Sequence, residues 1–358
     1  MKAARIVEPE KPLQISELDA PKPQGSEVIV KVKAAGVCHS DLHLWEGGYD
    51  LGDGVFLKVT DRGVKYPVTP GHEIVGSVLE IGPDVKGVKV GDNVLVYPWL
   101  GCGQCVACKA GNENLCDTPK SIGLFQDGGY AEIVKVPHYK YLADIAGLDP
   151  DGATSLACAG LTALTAVKKA NANSPEFIVI IGAGGLGLMG IQIAKAVTKA
   201  KVICVDLDDK KLQTAKEMGA DFVVNSNVIG SVTTGSGNAA QKIISLCNNK
   251  GADSVIDFVN APQTAKTGLA VLRKRGNLVL VGLFGGSMEL SLVTIPLKAI
   301  TIQGAYTGNY SSMVELIELA KKGVINPKIT EHYSLDDANT ALENLKARKI
   351  NGRAVINP

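Results

Sequence analysis

The stretch FIVIIGAGGLGLMGIQIA, residues 177–194, decides the fold of this chain. It begins as a short apolar strand, passes through glycines spaced G-x-G-x-x-G, and continues as an amphipathic helix. The first glycine permits a tight turn, the second lets the backbone approach a pyrophosphate, and the third lets the helix pack on the strand. Its five glycines argue against a membrane span in this uncharged run. The motif predicts a dinucleotide site formed by Gly182, Gly184, Gly185, Leu186 and Gly187.

On either side of this stretch the chain changes its pattern. After residue 158, apolar strands such as KVICVD, FVVN, SVIDFV and NLVLVG alternate with helical segments predicted at 186–200, 209–218, 239–247 and 264–272. This alternation predicts an α/β, doubly wound parallel sheet. Before residue 150, short β-like runs predict a β-rich, barrel-like domain. Helices at 311–322 and 335–347 and the strand RAVIN are expected to return to that first domain, and TTGSGN (233–238) is expected to form a surface turn.

Asp206 ends the strand that follows the glycine motif, nineteen residues after Gly187. A carboxylate at this place can accept hydrogen bonds from both hydroxyls of an adenosine ribose, and it repels a 2′-phosphate. The sequence therefore predicts NAD in preference to NADP. The competing interpretation is that the glycines form a turn without a ligand and that Asp206 caps the next helix.

Size and charge limit the possible functions. A chain of 358 residues with 46% hydrophobic and 20% charged residues predicts a globular protein of two domains. The net charge is +1 and no long basic stripe is present, so nucleic acid and membrane partners are not expected. The N-terminal MKAARIVEPEK lacks an apolar signal region, which predicts a cytoplasmic protein.

Four cysteines crowd into the segment 101–117. Cys102, Cys105, Cys108 and Cys116 are spaced C-x2-C-x2-C-x7-C, so four thiolates on one loop can close a tetrahedron around a structural zinc ion. An iron–sulfur cluster is the alternative, but bacterial ferredoxin motifs continue with x3-C-P, whereas here the fourth cysteine comes later and Asp117 follows it. The spacing favours zinc.

Further metal-ligand residues are scattered and obey no local spacing rule. Cys38, His72 with Glu73, and Cys158 are far apart in sequence, and each alone is unremarkable. Isolated cysteines are most often small buried hydrophobic residues, and isolated histidines are most often hydrogen bonders. Those interpretations are kept for Cys204, Cys247, His138 and His332.

Taken together, the motifs resemble the zinc-dependent medium-chain alcohol dehydrogenases. The resemblance covers nearly the whole chain and rests on GVCHSDLH, GHEIVGSV, the four-cysteine segment, CAGLTA, the glycine motif with its aspartate, and GRAVINP. It implies a Rossmann domain that binds NAD at 158–302 and a β-rich, GroES-like catalytic domain at 1–157 and 303–358. It also implies that Cys38, His72 and Cys158 hold a catalytic zinc, with Glu73 as an occasional fourth ligand.

The same resemblance assigns roles to other residues. It implies that Asp41 orients His72, that Ser40 takes the alcohol proton, and that His43 passes this proton to solvent. It further suggests that His39 and Arg353 contact the pyrophosphate and that Lys211 contacts the adenosine ribose. Three more residues are suggested to line the substrate pocket: Tyr49, Trp99 and Leu124. Each of these three pocket residues could equally be an ordinary residue of the hydrophobic core. The segment 47–68 follows no pattern that can be aligned.

The expected activity is reversible hydride transfer between a primary or secondary alcohol and NAD, with two zinc ions per chain in a homodimer or homotetramer. A polyol or semialdehyde-specific oxidoreductase of the same fold is the alternative within enzymes. A protein of another class, a non-catalytic NAD-binding scaffold with a structural zinc, would lack a ligand or a relay residue, and the sequence lacks neither.

Overall fold

A computed structural model of the chain describes residues 1–227 and 238–358. Within this range the strands are β1 (Lys2–Arg5), β2 (Gln14–Glu17), β3 (Val28–Val37), β4 (Gly48–Gly52), β5 (Val55–Lys58), β6 (Glu73–Ile81), β7 (Asn93–Val96), β8 (Ile133–Val136), β9 (Leu142–Asp144), β10 (Phe177–Ile181), β11 (Lys201–Asp206), β12 (Phe222–Asn225), β13 (Ala252–Asp257), β14 (Leu272–Leu280), β15 (Thr301–Gly304), β16 (Ile329–Ser334) and β17 (Arg353–Asn357). The helices are α1 (His39–Glu46), α2 (Val106–Lys109), α3 (Pro150–Thr154), α4 (Ala159–Ala170), α5 (Gly185–Val197), α6 (Asp209–Glu217), α7 (Asn238–Leu246), α8 (Pro262–Val271), α9 (Thr294–Lys298), α10 (Tyr310–Lys321) and α11 (Ala338–Lys346). The predicted surface turn at 233–238 lies outside the described residues except for Asn238, which begins α7.

The chain divides into two compact units. Unit 1 comprises Met1–Gly48, Leu57–Leu161 and Thr307–Pro358, and unit 2 comprises Tyr49–Phe56 and Thr162–Tyr306. No helix in the described parts of the chain is long and apolar enough to cross a membrane.

Unit 2 contains a six-stranded parallel sheet in the order β12-β11-β10-β13-β14-β15. The central strand β10 pairs with β11 on one side and β13 on the other, so the strand order reverses there. This order is that of a doubly wound dinucleotide-binding fold, and it confirms the predicted parallel sheet. Both faces of β10 are buried because helices cover the sheet, which explains why FIVII contains no polar residue.

The four helices predicted in unit 2 lie close to their predicted positions, and each ends one to three residues earlier than predicted, although α6 begins at the predicted Asp209. Helix α5 ends at Val197, three residues before the predicted end at 200. The physical reason is Thr198, whose backbone is extended and whose hydroxyl donates to the carbonyl of Ala194 at 2.7 Å.

Unit 1 is built on a seven-stranded sheet in the order β16-β17-β3-β6-β7-β9, with β8 also paired to β3. Strand β3 pairs antiparallel with β6 and β17, which brings the C-terminal segment beside the residues that precede Cys38. The sequence pattern missed α1 because this helix is short and buries only Asp41, Leu42 and Leu44.

Residues within the unaligned segment 47–68 form a hairpin of β4 and β5. The carbonyl of Asp50 accepts from the backbone N–H of Gly286 at 3.1 Å. A Cβ atom at Gly52 would stand only 2.5 Å from the backbone nitrogen of Ser287, so only glycine permits this approach. The tip of the hairpin therefore groups with unit 2.

Candidate functional site

Helix α1 places several polar side chains beside the end of β3. Cys38 is the N-cap residue, and its backbone N–H donates to the Asp41 carboxylate at 3.0 Å. Gly47 ends the helix in the left-handed conformation with φ 85°. Since residues three apart share a helix face, Ser40 and His43 lie on the same side of α1. Both are half-buried, whereas His39 at the first helical position is exposed.

His72 lies immediately before β6 and is completely buried. Its Nδ1 atom lies 3.1 Å from the Asp41 carboxylate, which also accepts from the backbone N–H of Gly71 at 3.0 Å. The Tyr130 hydroxyl donates to the other Asp41 oxygen at 3.3 Å. No sequence pattern indicates the role of Tyr130, because this contact spans 89 positions.

Cys38, His72, Glu73 and Cys158 converge on one buried point, with all four potential ligand atoms within 4.8 Å of one another. The Cys38 and Cys158 sulfurs are 3.9 Å apart. In the described structure the Nε2 atom of His72 is buried and has no hydrogen-bond partner. An unsatisfied buried nitrogen beside two thiols is costly unless a cation accepts its lone pair. The donor set thus fits zinc.

Glu73 is the first residue of β6 and shares the buried cluster. Its carboxylate forms an ion pair with Arg353 and accepts from the backbone N–H of Ala159 at 3.3 Å. A Cβ atom at Gly36 would overlap the Glu73 carboxylate, so any larger residue there would displace that carboxylate from its present position. Arg353 is therefore buried against Glu73 in this structure, and its predicted contact with a pyrophosphate remains a prediction.

Electrostatic interactions within the cluster favour a thiolate at Cys38 and positive charge next to His72. The hydrogen bond with the Cys158 thiol lowers the pKa of Cys38, although burial opposes this change. Burial alone would lower the pKa of His72, but the charges of Asp41 and Cys38 raise it above its usual value. Burial raises the pKa of Glu73 to about 7, and the Arg353 guanidinium opposes part of that rise. A thiolate at Cys38 is the form that binds a metal ion.

Three side chains were predicted to line a substrate pocket. Trp99 is buried, and its indole N–H donates to the carbonyl of Ala157 at 2.9 Å, next to Cys158. Its ring centroid lies 5.3 Å from that of His72. Tyr49 in β4 and Leu124 are half-buried. Trp99 thus packs directly against a cluster residue, and the pocket role of all three remains a prediction.

The four-cysteine segment forms a second candidate metal centre. The ligand atoms of Cys102, Cys105, Cys108 and Cys116 all lie within 4.8 Å of one another. Backbone N–H groups point at the sulfurs, as those of Gln104 and Cys105 do toward Cys102 at 3.4 and 3.3 Å. These two hydrogen bonds lower the pKa of Cys102 to about 6. A closed set of four cysteine sulfurs, with a thiolate favoured at Cys102, fits a structural zinc ion.

The glycine motif has the geometry of a dinucleotide turn. Gly182 has φ 96°, and a Cβ atom at Gly187 would overlap the carbonyl of Gly182, so the chain itself requires both glycines. At Gly184 a Cβ atom would meet nothing within 4 Å. The missing side chain at Gly184 leaves open space at the first turn of α5, which Gly185 and Leu186 begin. This space fits a pyrophosphate at a helix N-terminus.

Asp206 ends β11 beside this turn. Its carboxylate accepts from the backbone N–H groups of Ala183 and Leu207, each at 2.7 Å. The cap of α6 is instead Asp208, which accepts from the N–H groups of Lys210 and Lys211 at 2.7 and 3.3 Å. Because each carboxylate oxygen can accept more than one hydrogen bond, Asp206 can still accept from a ribose, and the capping interpretation applies to Asp208. The Lys211 side chain is half-buried, and its ribose contact stays a prediction.

The cysteines and histidines interpreted as structural residues lie away from both metal-ligand groups. Cys204 and Cys247 are buried in the core, at 0% and 1% exposure. His138 accepts from the backbone N–H of Lys140 at 3.1 Å, and His332 lies 3.4 Å from the Asp151 carboxylate. All four lie outside the two metal-ligand groups found in the described residues.

Known proteins resemble this chain over its full length. Residues 24–146 match the family "Alcohol dehydrogenase GroES-like domain", and residues 185–322 match "Zinc-binding dehydrogenase". An NAD-dependent alcohol dehydrogenase of Sulfurisphaera tokodaii is 43% identical, with all of both chains covered.

Two solved structures are similar throughout. The alcohol dehydrogenase of the archaeon Aeropyrum pernix has a TM-score of 0.88 at 33% identity, with both chains fully covered. The D-arabinose dehydrogenase of Sulfolobus solfataricus has a TM-score of 0.82 at 28% identity, covering 100% of this chain and 99% of that one. Full-length identity above 40% to the first relative, together with the two metal centres and the dinucleotide turn, places the chain in the zinc-dependent medium-chain alcohol dehydrogenase family.

Proposed function

We propose that this protein is an NAD-dependent alcohol dehydrogenase that interconverts a primary or secondary alcohol and the corresponding aldehyde or ketone. The observation that carries the proposal is the buried group of Cys38, His72 and Cys158, in which the His72 Nε2 atom faces two sulfurs without a hydrogen-bond partner among the described residues. Zinc bound there supplies Lewis acidity toward the substrate oxygen, and NAD supplies the hydride acceptor.

The chain's own residues orient the metal ligands. We assign Asp41 the task of holding Nδ1 of His72, so that Nε2 carries the lone pair that faces the sulfurs. Tyr130 and the N–H of Gly71 hold Asp41 in turn. Glu73 is proposed as an occasional fourth ligand, and Arg353 balances its charge.

Proton transfer is assigned to α1. The alcohol proton passes from the substrate hydroxyl to Ser40 and then to His43, which lies one helical turn away on the same face. Burial lowers the pKa of His43, so its imidazole is mostly neutral at pH 7 and can accept a proton.

NAD is assigned to the carboxyl edge of the parallel sheet. The pyrophosphate would lie against the turn from Gly182 to Gly187, with the adenosine ribose at Asp206 and Lys211. We further propose His39 as a pyrophosphate contact. The catalytic domain is proposed at 1–157 and 303–358, and the NAD-binding domain at 158–302.

We propose a cytoplasmic homodimer or homotetramer that acts on a small molecule. The eight cysteines, all of which lie in the described residues, form no disulfide, which suits a reducing compartment. The edge strand β15 and exposed apolar side chains near α9 support self-association.

A sugar alcohol or sugar is the second candidate substrate class. The observation in its favour is the similarity to a D-arabinose dehydrogenase. The half-buried Tyr49 and the hairpin that carries it fall in the part of the sequence with no recognisable pattern, so sequence alone does not bound substrate size.

The test is a substrate screen with the zinc-loaded protein. Primary alcohols, secondary alcohols, sugars and aldehydes are assayed with NAD or NADH by absorbance at the nicotinamide band. We expect turnover with simple alcohols that disappears after chelation and returns with added zinc. Turnover of sugars alone would select the second candidate, and no turnover with any of these substrates would reject the proposed activity.

A further inference from the structure

A series of polar side chains continues outward from the proposed relay residue His43. The Nδ1 atom of His43 lies 3.9 Å from the Glu46 carboxylate, which is the next residue on the same face of α1. The other carboxylate oxygen of Glu46 lies 3.0 Å from Nζ of Lys346. The side-chain exposure rises along this series, from 14% at His43 through 28% at Glu46 to 51% at Lys346. The series thus runs from the half-buried imidazole to solvent.

Lys346 is held in this position by more than one contact. It ends α11, which packs against α1, and its ammonium also lies 4.7 Å from the centroid of the Trp45 ring. The Trp45 indole is fixed in turn, because it donates to the carbonyl of Lys11 at 2.7 Å. A lysine that contacts both an aromatic face and a carboxylate of one helix is more restrained than an ordinary surface lysine.

From this geometry we propose that Glu46 is a positioning residue of the proton relay, which strengthens His43 as a base, and that Lys346 moderates this effect. The inference rests on the proposed function. Oxidation of an alcohol releases a hydride, which NAD accepts, and a proton, which His43 accepts and returns to water. A carboxylate beside the ring favours the protonated imidazole, and an ammonium bound to that carboxylate weakens its field.

Charged groups on two elements act on His43. Glu46 on α1 and the Cys38 thiolate at the N-cap of α1 both oppose the effect of burial on the His43 pKa. From α11, Lys346 acts through Glu46. The Tyr66 hydroxyl contacts α1 by donating to the carbonyl of Leu44 at 2.6 Å.

The test compares two variants of the full-length, zinc-loaded enzyme whose effects should have opposite signs. Glu46→Gln should lower the apparent pKa on the acid side of the kcat/KM profile for alcohol oxidation by roughly 0.5 to 1 unit. Lys346→Met should raise the same pKa by roughly 0.3 to 0.5 unit. A merely structural ion pair would move both profiles in one direction or leave both unchanged.

A second measurement does not depend on turnover. The chain has five histidines, so the His43 ring signal can be assigned in NMR spectra of the zinc-loaded protein by its loss in His43→Gln. Its titration midpoint should shift as the kinetic pKa does.

The matched control is Asp144→Asn, which neutralises the carboxylate of a similar surface ion pair, 3.0 Å from the Lys321 ammonium. This control should shift neither the kinetic pKa nor the titration midpoint of His43. Same-sign shifts in the two variants, no shift in either, or an equal shift in the control would overturn the inference. If the wild-type enzyme fails to oxidise any alcohol, the proposed function is lost, while the NMR titration still decides whether Glu46 and Lys346 tune His43.

Discussion

At the scale of single residues, Cys38 offers a direct test of the buried metal group. Cys38→Ala removes one of two sulfurs that lie 3.9 Å apart, and the remaining ligands hold a metal weakly. We expect loss of nearly all turnover, while the free energy of unfolding falls by only about 1 to 2 kcal/mol, since one small buried side chain is lost. Cys204→Ala is the matched control, because Cys204 is equally buried and outside both metal groups. Near wild-type turnover in Cys38→Ala at verified low zinc would contradict the assignment.

Asp206 makes the sharpest prediction about the cofactor. NADP would bring a phosphate of about −1.5 to −2 charge against this carboxylate. Unit charges ~4 Å apart interact by about 4 kcal/mol at an effective dielectric near 20, and solvent access at the sheet edge reduces this to a few kcal/mol. We therefore expect kcat/KM to favour NAD by roughly 10- to 1000-fold, with Lys211 reducing the preference.

Substitutions at Asp206 separate its charge from its hydrogen bonds. Asp206→Gly should raise activity with NADP and lower it with NAD. It also removes the carboxylate that accepts the hydrogen bond from the backbone N–H of Ala183. Asp206→Asn keeps an acceptor oxygen but no charge, so it should relax the cofactor preference with less damage to NAD binding. Equal use of both cofactors by the wild-type enzyme, or an unchanged ratio in both variants, would refute the ribose assignment.

The family resemblance, and not residue type alone, nominated the cluster members, and it did not indicate all of their partners. Glu73 and Arg353 form an ion pair across 280 positions, and no local pattern in the sequence connects them. Tyr130 was missed for the same reason, because its hydroxyl contacts Asp41 across 89 positions of sequence. Contacts of this kind depend on the tertiary fold and leave no periodic signal.

At the scale of elements, the four-cysteine segment should act on stability more than on catalysis. Its helix α2 has only four residues, so the segment has little structure of its own to stabilise it. Cys105→Ala should lower the thermal midpoint and release one zinc, because binding free energy at a closed site is folding free energy. Cys247→Ala, at a cysteine that belongs to neither metal group, should release none. An unfolding temperature that is the same with and without chelator would argue against a structural metal here.

Elements with strong periodicity were predictable, and short or irregular ones were not. Strand β12 and strand β17 have the predicted ends, since apolar runs bounded by turn residues define them. Helix α1 was missed because its eight residues carry mostly polar side chains that serve the site. The hairpin of β4 and β5 was missed because it is held by the close approach of Gly52 and Asp50 to the segment 286–287, which only the folded chain creates.

At the scale of the whole molecule, we expect two zinc ions per chain. The two ligand groups share no residue, so neither site can compete with the other for a ligand. Elemental analysis of the purified protein should give a zinc-to-chain ratio near two, falling to one in both Cys38→Ala and Cys105→Ala. Iron in place of zinc, or a ratio of one in the wild-type protein, would contradict this count.

The final prediction concerns self-association. Strand β15 lies at the edge of the parallel sheet, and Leu292, Val293 and Leu297, shortly before it in the sequence, are 78%, 63% and 70% exposed. An edge strand with exposed apolar neighbours is a surface that another chain can cover. Light scattering should therefore give the mass of two or four chains. The double variant Val293→Lys with Leu297→Lys should shift the protein toward smaller species, because buried ammonium groups are costly. Val90→Lys, at a position 62% exposed and far from these residues in sequence, is the control and should leave the mass unchanged. A monomeric wild-type protein at micromolar concentration would exclude this interface.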